Sequence, residues 1–254
     1  MDLETMFYLK DMSGMSKIST NVKEQKFDDV NTLEDALATE IASQLKEQLK
    51  ENNQAKLLLS GGSTPINLYA KLSHYDLDWS KVLVGLVDER YVPIDDKNSN
   101  ERLIKSSLIQ NKASDAQFIG MVFDTDDSDE NLRQAEAQNS PFSEENTCVI
   151  LGMGTDAHTA SLFPGDANSL IGLQNIEGRS PLLCTISPNE PKQRISFTLE
   201  ALLNTKRLFL YITGTEKLNL FAEAKEKHDP IQYPISSFIH QEQKQLELFW
   251  ADKN

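Results

Sequence analysis

KLLLSGGSTP, residues 56–65, sets a short apolar run directly against two glycines, two hydroxyl residues and a proline. Five residues are too few for a helix, so Lys56–Ser60 reads as a buried strand. The glycines form a tight turn, and Pro65 suits the first position of a helix running to Ser73. The same arrangement returns three times. VLVGLV (82–87) ends in Asp88-Glu89-Arg90, CVILG (148–152) continues as MGTDAHTAS (153–161), and RLFLYIT (207–213) runs into Gly214-Thr215-Glu216-Lys217. Near-continuous apolar strands separated by helical patterns predict an α/β fold, a mostly parallel sheet with helices on both faces.

Outside these runs, Leu33, Leu37, Ile41, Leu45 and Leu49 recur every fourth residue, predicting an amphipathic helix from Thr32 to about Asn52. Thr32 with Asp35 resembles a capping box at its start. Glu101–Ile109 and Thr215–Lys227 read as further helices and Glu247–Trp250 as a last strand. Residues 1–26 are polar and without periodicity, and read as a frayed arm. One α/β domain over 27–254 is expected. The acidic stretch DTDDSDE (124–130) reads as a solvated loop leading into a helix.

Charge limits the partners. Among 254 residues, 25 Lys and Arg stand against 39 Asp and Glu, a formal net charge of −14. Such a surface repels phosphodiester backbones and anionic membranes, so neither nucleic acid nor membrane is an expected partner. An anionic substrate would need basic residues gathered locally against that field. Cys148 and Cys184 sit in apolar stretches and read as free thiols. No signal peptide and no apolar run of about 20 residues is evident, so a cytoplasmic protein is expected.

Chemistry gathers at the strand ends. Ligands of open α/β sheets bind beyond the carboxyl ends of the strands, and four segments deliver Gly, hydroxyl, acid, His and Lys there. In SGGSTP, exposed amides and a helix start attract an anion, phosphate above all, with Ser63 or Thr64 able to cap the helix; a plain strand-to-helix turn is the alternative. No Lys-Ser or Lys-Thr follows at Walker spacing. Gly152-x-Gly154-x-x-Ala157 formally fits a dinucleotide fingerprint, but it falls past the middle of the chain with no acidic strand end after it. His158 follows a strand end in a glycine-containing loop with Asp156 nearby, and imidazole can take a proton from water at neutral pH. No HxxxH or CxxC spacing points to zinc. Arg90 follows two acids and reads equally as a salt-bridge partner. Arg194 precedes an alternating strand. Lys217 sits in the first turn of a helix, where a cation opposes the dipole unless an anion is bound.

The blocks LSGGSTP (59–65), DERYVP with SNERLIKSSL (88–93, 99–108), LGMGTDAHTASLFPG (151–165) and PKQRISFT (191–198) resemble the 6-phosphogluconolactonase family in order and spacing, over nearly everything from residue 27 onward. The related glucosamine-6-phosphate deaminases show an aromatic residue after the Asp-Glu pair and an Ile-Ala-Phe-Asn type continuation after the histidine. Arg90 and Thr159-Ala160-Ser161-Leu162-Phe163 favour the lactonase branch. One departure stands out: the family usually has glycine immediately before the catalytic histidine, and here it is Ala157. If that position needs positive φ, Ala157 is strained by about 1 kcal/mol or more.

The resemblance implies a modified Rossmann-like fold similar to the deaminase/ribose-phosphate-isomerase group. It implies hydrolysis of 6-phospho-D-glucono-1,5-lactone in the oxidative pentose phosphate pathway, with no cofactor or metal. Its partner would be that small sugar-phosphate lactone, on a monomer or weak homo-oligomer. Carried onto this chain, His158 would be the general base and Asp88 or Asp156 its orienting acid. Arg90 would stabilise the oxyanion or bind phosphate. Gly61, Gly62, Ser63, Thr64, Asn100, Arg194 and Lys217 would hold the substrate and its phosphate. The competing readings are a glucosamine-6-phosphate deaminase or isomerase and a non-catalytic sugar-phosphate sensor.

Overall fold

A computed structural model of the chain describes residues 20–124, 126–174 and 179–253. Seven strands form one parallel sheet in the order β1 (Val22–Phe27), β10 (Leu246–Ala251), β9 (Thr205–Thr213), β6 (Asn146–Leu151), β2 (Ala55–Leu59), β3 (Val82–Leu86), β5 (Gln117–Phe118). Three more, β4 (Asp88–Arg90), β8 (Gln193–Phe197) and β7 (Leu182–Ile186), form a small antiparallel sheet. The helices are α1 (Val30–Asn52), α2 (Ile66–Leu72), α3 (Asn100–Ser107), α4 (Ser128–Gln138), α5 (Ala167–Gly172), α6 (Leu199–Leu203), α7 (Thr215–Lys227) and α8 (Ile235–His240).

The expected α/β architecture holds, and burial explains why. Successive residues of a strand face opposite sides, yet every residue of β3 and β6 is buried. Both faces are therefore covered, and the strands read as unbroken apolar runs. On α1, Leu33, Leu37, Ile41 and Leu45 are wholly buried; each contributes about 1.5–3 kcal/mol of transfer free energy. Gly85 in β3 is a packing glycine, because a Cβ there would lie 2.6 Å from the Phe142 ring. Cys148 is buried, Cys184 partly so, and both are free thiols. Among the described residues, no helix is long and apolar enough to cross a membrane.

Two boundaries differ from expectation. β1 occupies Val22–Phe27 inside the stretch read as a frayed arm, and residues 1–19 lie outside the described residues. Its lysines and glutamates hid it: an edge strand is half solvated and needs few apolar residues. The N-cap of α1 is Asp29, whose side chain accepts from the amide of Thr32, so Thr32 lies inside the helix. The acidic stretch is a loop leading into α4 as expected, Thr125 aside, with Asp127 accepting from the amides of Asp129 and Glu130.

The strand order fixes where a ligand can sit. From β2 the chain moves outward through β3 to β5; from β6 it moves the other way through β9 to β10. β2 and β6 are neighbours, pairing Leu57 with Cys148. Where connections diverge from adjacent strands, a crevice opens at their carboxyl ends. SGGSTP leaves β2 and GMGTDAH leaves β6 at that point.

Candidate active site

A cavity of about 250 Å³ occupies the crevice. Its wall includes Gly61, Gly62, Ser63 and Thr64 after β2, Asp88 and Arg90 of β4, Asn100, His158 and Lys217. Nine of the eleven residues singled out in the sequence thus line one cavity. Asp156 and Arg194 do not.

The loop after β6 aims the histidine. Thr159 Oγ1 donates to the Gly152 carbonyl at 2.8 Å, and the Gly154 amide donates to the His158 carbonyl at 2.9 Å. Asp156 Oδ1 lies 2.5 Å from His158 Nδ1 and also accepts from the His158 amide at 3.2 Å. Nδ1–H donating to this carboxylate leaves Nε2 as the basic nitrogen. Burial pushes the Asp156 carboxyl upward, but the hydrogen bond and charge of His158 outweigh it and hold the group below the ordinary carboxylate value. Asp88, the other candidate partner of the imidazole, is engaged elsewhere: its Oδ2 accepts from Ser161 Oγ at 2.5 Å. The Phe163 ring packs 4.9 Å from the imidazole.

Gly154 is a steric requirement rather than part of a nucleotide fingerprint. A Cβ on it would stand 2.2 Å from His158 Nδ1. Ala157 has φ of 64°, the conformation in which the expected strain arises. Its methyl is wholly buried, and its carbonyl accepts from the Ile235 amide at 3.1 Å. For Ala157→Gly, relief of about 1–2 kcal/mol of left-handed strain opposes loss of a buried methyl worth about 0.8 kcal/mol and about 0.4–1 kcal/mol of unfolded-state freedom. The unfolding free energy in denaturant should therefore change by less than about 1 kcal/mol; a larger shift would contradict this balance.

The glycine loop departs from one expectation. Neither Ser63 nor Thr64 caps α2; Pro65 holds the cap position without a side-chain bond. Both hydroxyls are thereby left to the cavity. Gly62 has φ of +92° and Gly61 admits no side chain, since its Cβ would meet Asn100 Oδ1 at 1.8 Å. Asn100 Nδ2 donates to the Asp88 carbonyl at 2.9 Å, while its Oδ1 is buried without a hydrogen-bond partner among the described residues. An acceptor left so is poised for a ligand donor.

Glu89, which carried no assigned role, fastens this wall together. Its carboxyl accepts from the amides of Arg90, Asn100 and Glu101, each at 2.7 Å, and from Ser99 Oγ at 3.1 Å. Burial pushes the group up to about 7 while the three amides pull it down. It thus ties β4 to the start of α3.

The cations are unusual in a chain so acidic. Arg90 makes no ion pair among the described residues; its Nη1 donates to the Asn98 carbonyl at 2.6 Å, so the salt-bridge alternative fails. Across the small sheet Arg90 faces Arg194 directly, an unfavourable pairing of like charges. Arg194, expected to close on the phosphate, is instead buried off the cavity wall with its guanidinium 6.0 Å from the centre of the Phe163 ring. Burial and then the charge of Arg90 hold its pKa below the ordinary arginine value. Lys217 is half-buried, and burial lowers its pKa first, the nearby charge of Lys253 second.

Tyr211 on the cavity wall went unnoticed in the sequence. Its hydroxyl donates to buried Glu34 at 3.1 Å. The available signal was a lone phenol in the apolar run Leu208–Ile212, two residues before the strand ends.

Comparison with known proteins adds ancestry to this geometry. Residues 28–250 match the family described as glucosamine-6-phosphate isomerases/6-phosphogluconolactonase. A 6-phosphogluconolactonase of Rhizobium meliloti is 32% identical over 225 residues, 89% of this chain and 97% of the relative. One from Helicobacter pylori is 34% identical, covering 89% and 96%. The crystal structure of a 6-phosphogluconolactonase from Shewanella baltica superposes with a TM-score of 0.86 at 35% identity, covering 91% of this chain and 97% of that one. With relatives a third identical along almost their whole length, this chain belongs to the glucosamine-6-phosphate isomerase/6-phosphogluconolactonase family and, within it, to the 6-phosphogluconolactonases, which are lactone hydrolases.

Proposed function

We propose that the chain hydrolyses 6-phospho-D-glucono-1,5-lactone to 6-phospho-D-gluconate, a step of the oxidative pentose phosphate pathway, with His158 as general base. One observation supports this above the others: Asp156 engages His158 Nδ1, so Nε2 is the nitrogen left to act, on a cavity that also carries a glycine loop and two cations. The substrate phosphate rests on the amides and hydroxyls of Gly61–Thr64, beside Lys217. This remote binding fixes the lactone carbonyl against His158.

His158 Nε2 takes a proton from water as the water oxygen bonds to the carbonyl carbon. Negative charge moves onto the carbonyl oxygen, where Arg90 opposes it. Collapse of the tetrahedral intermediate re-forms the carbonyl and breaks the bond to the ring oxygen. The proton held on Nε2 passes to that oxygen, giving a hydroxyl and a carboxylic acid that ionises. Asn100 Oδ1 accepts from a sugar hydroxyl. Arg194 acts through Arg90, holding its guanidinium forward by charge repulsion.

The test is lactone consumption with the substrate generated in situ, measured against spontaneous hydrolysis, beside an assay for ammonia from glucosamine 6-phosphate. Lactone loss well above background without ammonia release is expected. Ammonia release would transfer the site to the deaminases. Tight binding of 6-phosphogluconate without turnover would make the protein a sensor.

A further inference from the structure

The segment ending the large sheet is fastened to the turn that carries Lys217. Trp250 Nε1 donates to the Gly214 carbonyl at 3.0 Å, and the Gly214 amide donates to the Ala251 carbonyl at 2.9 Å. Asp252 accepts from the Thr215 amide at 3.2 Å and from Thr215 Oγ1 at 3.0 Å. These four bonds hold residues 250–252 against the start of α7. The stem of Lys253 then crosses Gly214, its Cγ, Cδ and Cε lying 3.5–3.7 Å from the place a Cβ would occupy. These are ordinary contact distances, and glycine is required at 214 by its φ of +89° rather than by the lysine stem.

Gly214 stands three residues before Lys217, which is part of the cavity wall. Lys253 is the like charge that Lys217 feels most, and Glu216 and Asp156 are the acids acting on Lys217. Among the described residues neither lysine is ion-paired, although acids outnumber bases by 39 to 25 in the chain. Glu216 and Asp156 offset part of the repulsion between the two ammonium groups without pairing with either among the described residues. A phosphate dianion between them would remove that repulsion.

We propose that Lys253 is a second cation for the substrate phosphate, standing beside Lys217 at the rim of the cavity, so that it selects phosphorylated over unphosphorylated lactone. The assignment rests on the lactonase reading above. Lys253 is exposed, so its replacement leaves the core untouched.

The experiment compares wild type, Lys253→Ala and Lys253→Arg. For the phosphorylated lactone at low ionic strength, Lys253→Ala should raise KM about fivefold with kcat within about twofold, and the difference should shrink in about 0.5 M salt. Hydrolysis of unphosphorylated glucono-1,5-lactone should not change, and Lys253→Arg should restore the KM. Calorimetric affinity for 6-phosphogluconate should fall in parallel. An unchanged KM, or equal losses on both lactones, overturns the role of Lys253 while leaving the lactonase intact. A wild-type protein that neither turns over the lactone nor binds 6-phosphogluconate refutes the lactonase reading itself, and this proposal with it.

Discussion

His158→Ala is expected to lower kcat for the phosphorylated lactone by about a thousandfold. Affinity for 6-phosphogluconate should stay within about threefold, because the glycine loop and Lys217 are untouched. The imidazole side chain is one-third exposed and, apart from Asp156, its packing contact is the Phe163 ring. Its loss therefore leaves the fold standing, and the thermal midpoint should move little. The lactone opens spontaneously, so the measurement is enzyme rate above background. A variant keeping a tenth or more of wild-type turnover would remove His158 from the base role.

Gly154→Ala should act on the same group without touching it. The added methyl would lie 2.2 Å from both Cε1 and Nδ1 of His158 and 2.6 Å from Asp156 Oδ1. Such separations are impossible, so the imidazole and its carboxylate partner must move by about an ångström. A displacement of that size costs about a hundredfold in rate where a reacting group must be held in line. Gly154 is not among the positive-φ residues, so alanine strains no backbone there and the loss should fall on kcat rather than on stability. Wild-type turnover with an unchanged pH profile would mean that the histidine works from some other position.

The sequence made much of this legible, for identifiable reasons. Parallel strands buried on both faces appear as unbroken apolar runs, so KLLLS, CVILG and RLFLYIT announce themselves. Glycine, acid and hydroxyl residues are poor in strand interiors, so their clustering just past those runs marks the ligand edge. What stayed hidden depends on contacts between distant segments. Asp88–Arg90 is a three-residue strand of charged side chains, recognisable only once β8 lies beside it. Its register puts Arg194 opposite Arg90, which no local pattern encodes. Asp156 and Asp88 were equivalent acids in the text; the Ser161 hydroxyl against Asp88 separates their roles. Ser63 and Thr64 looked like helix caps because hydroxyls before proline usually are. Ala157 is the reverse case, where the family's preference for glycine anticipated the positive φ.

The pairing of β1 with β10 joins residues such as Lys23 and Glu247, 224 positions apart. Among the described residues β1 has no other partner strand. During synthesis it must wait for Leu246–Ala251 to emerge, and closing so long a loop makes this edge a late event in folding. The bonds from Trp250, Ala251 and Asp252 to the turn before Lys217 form at the same late stage. A chain that has not yet made residues 246–252 can thus assemble the glycine loop and histidine before the turn that carries Lys217 is fastened in place.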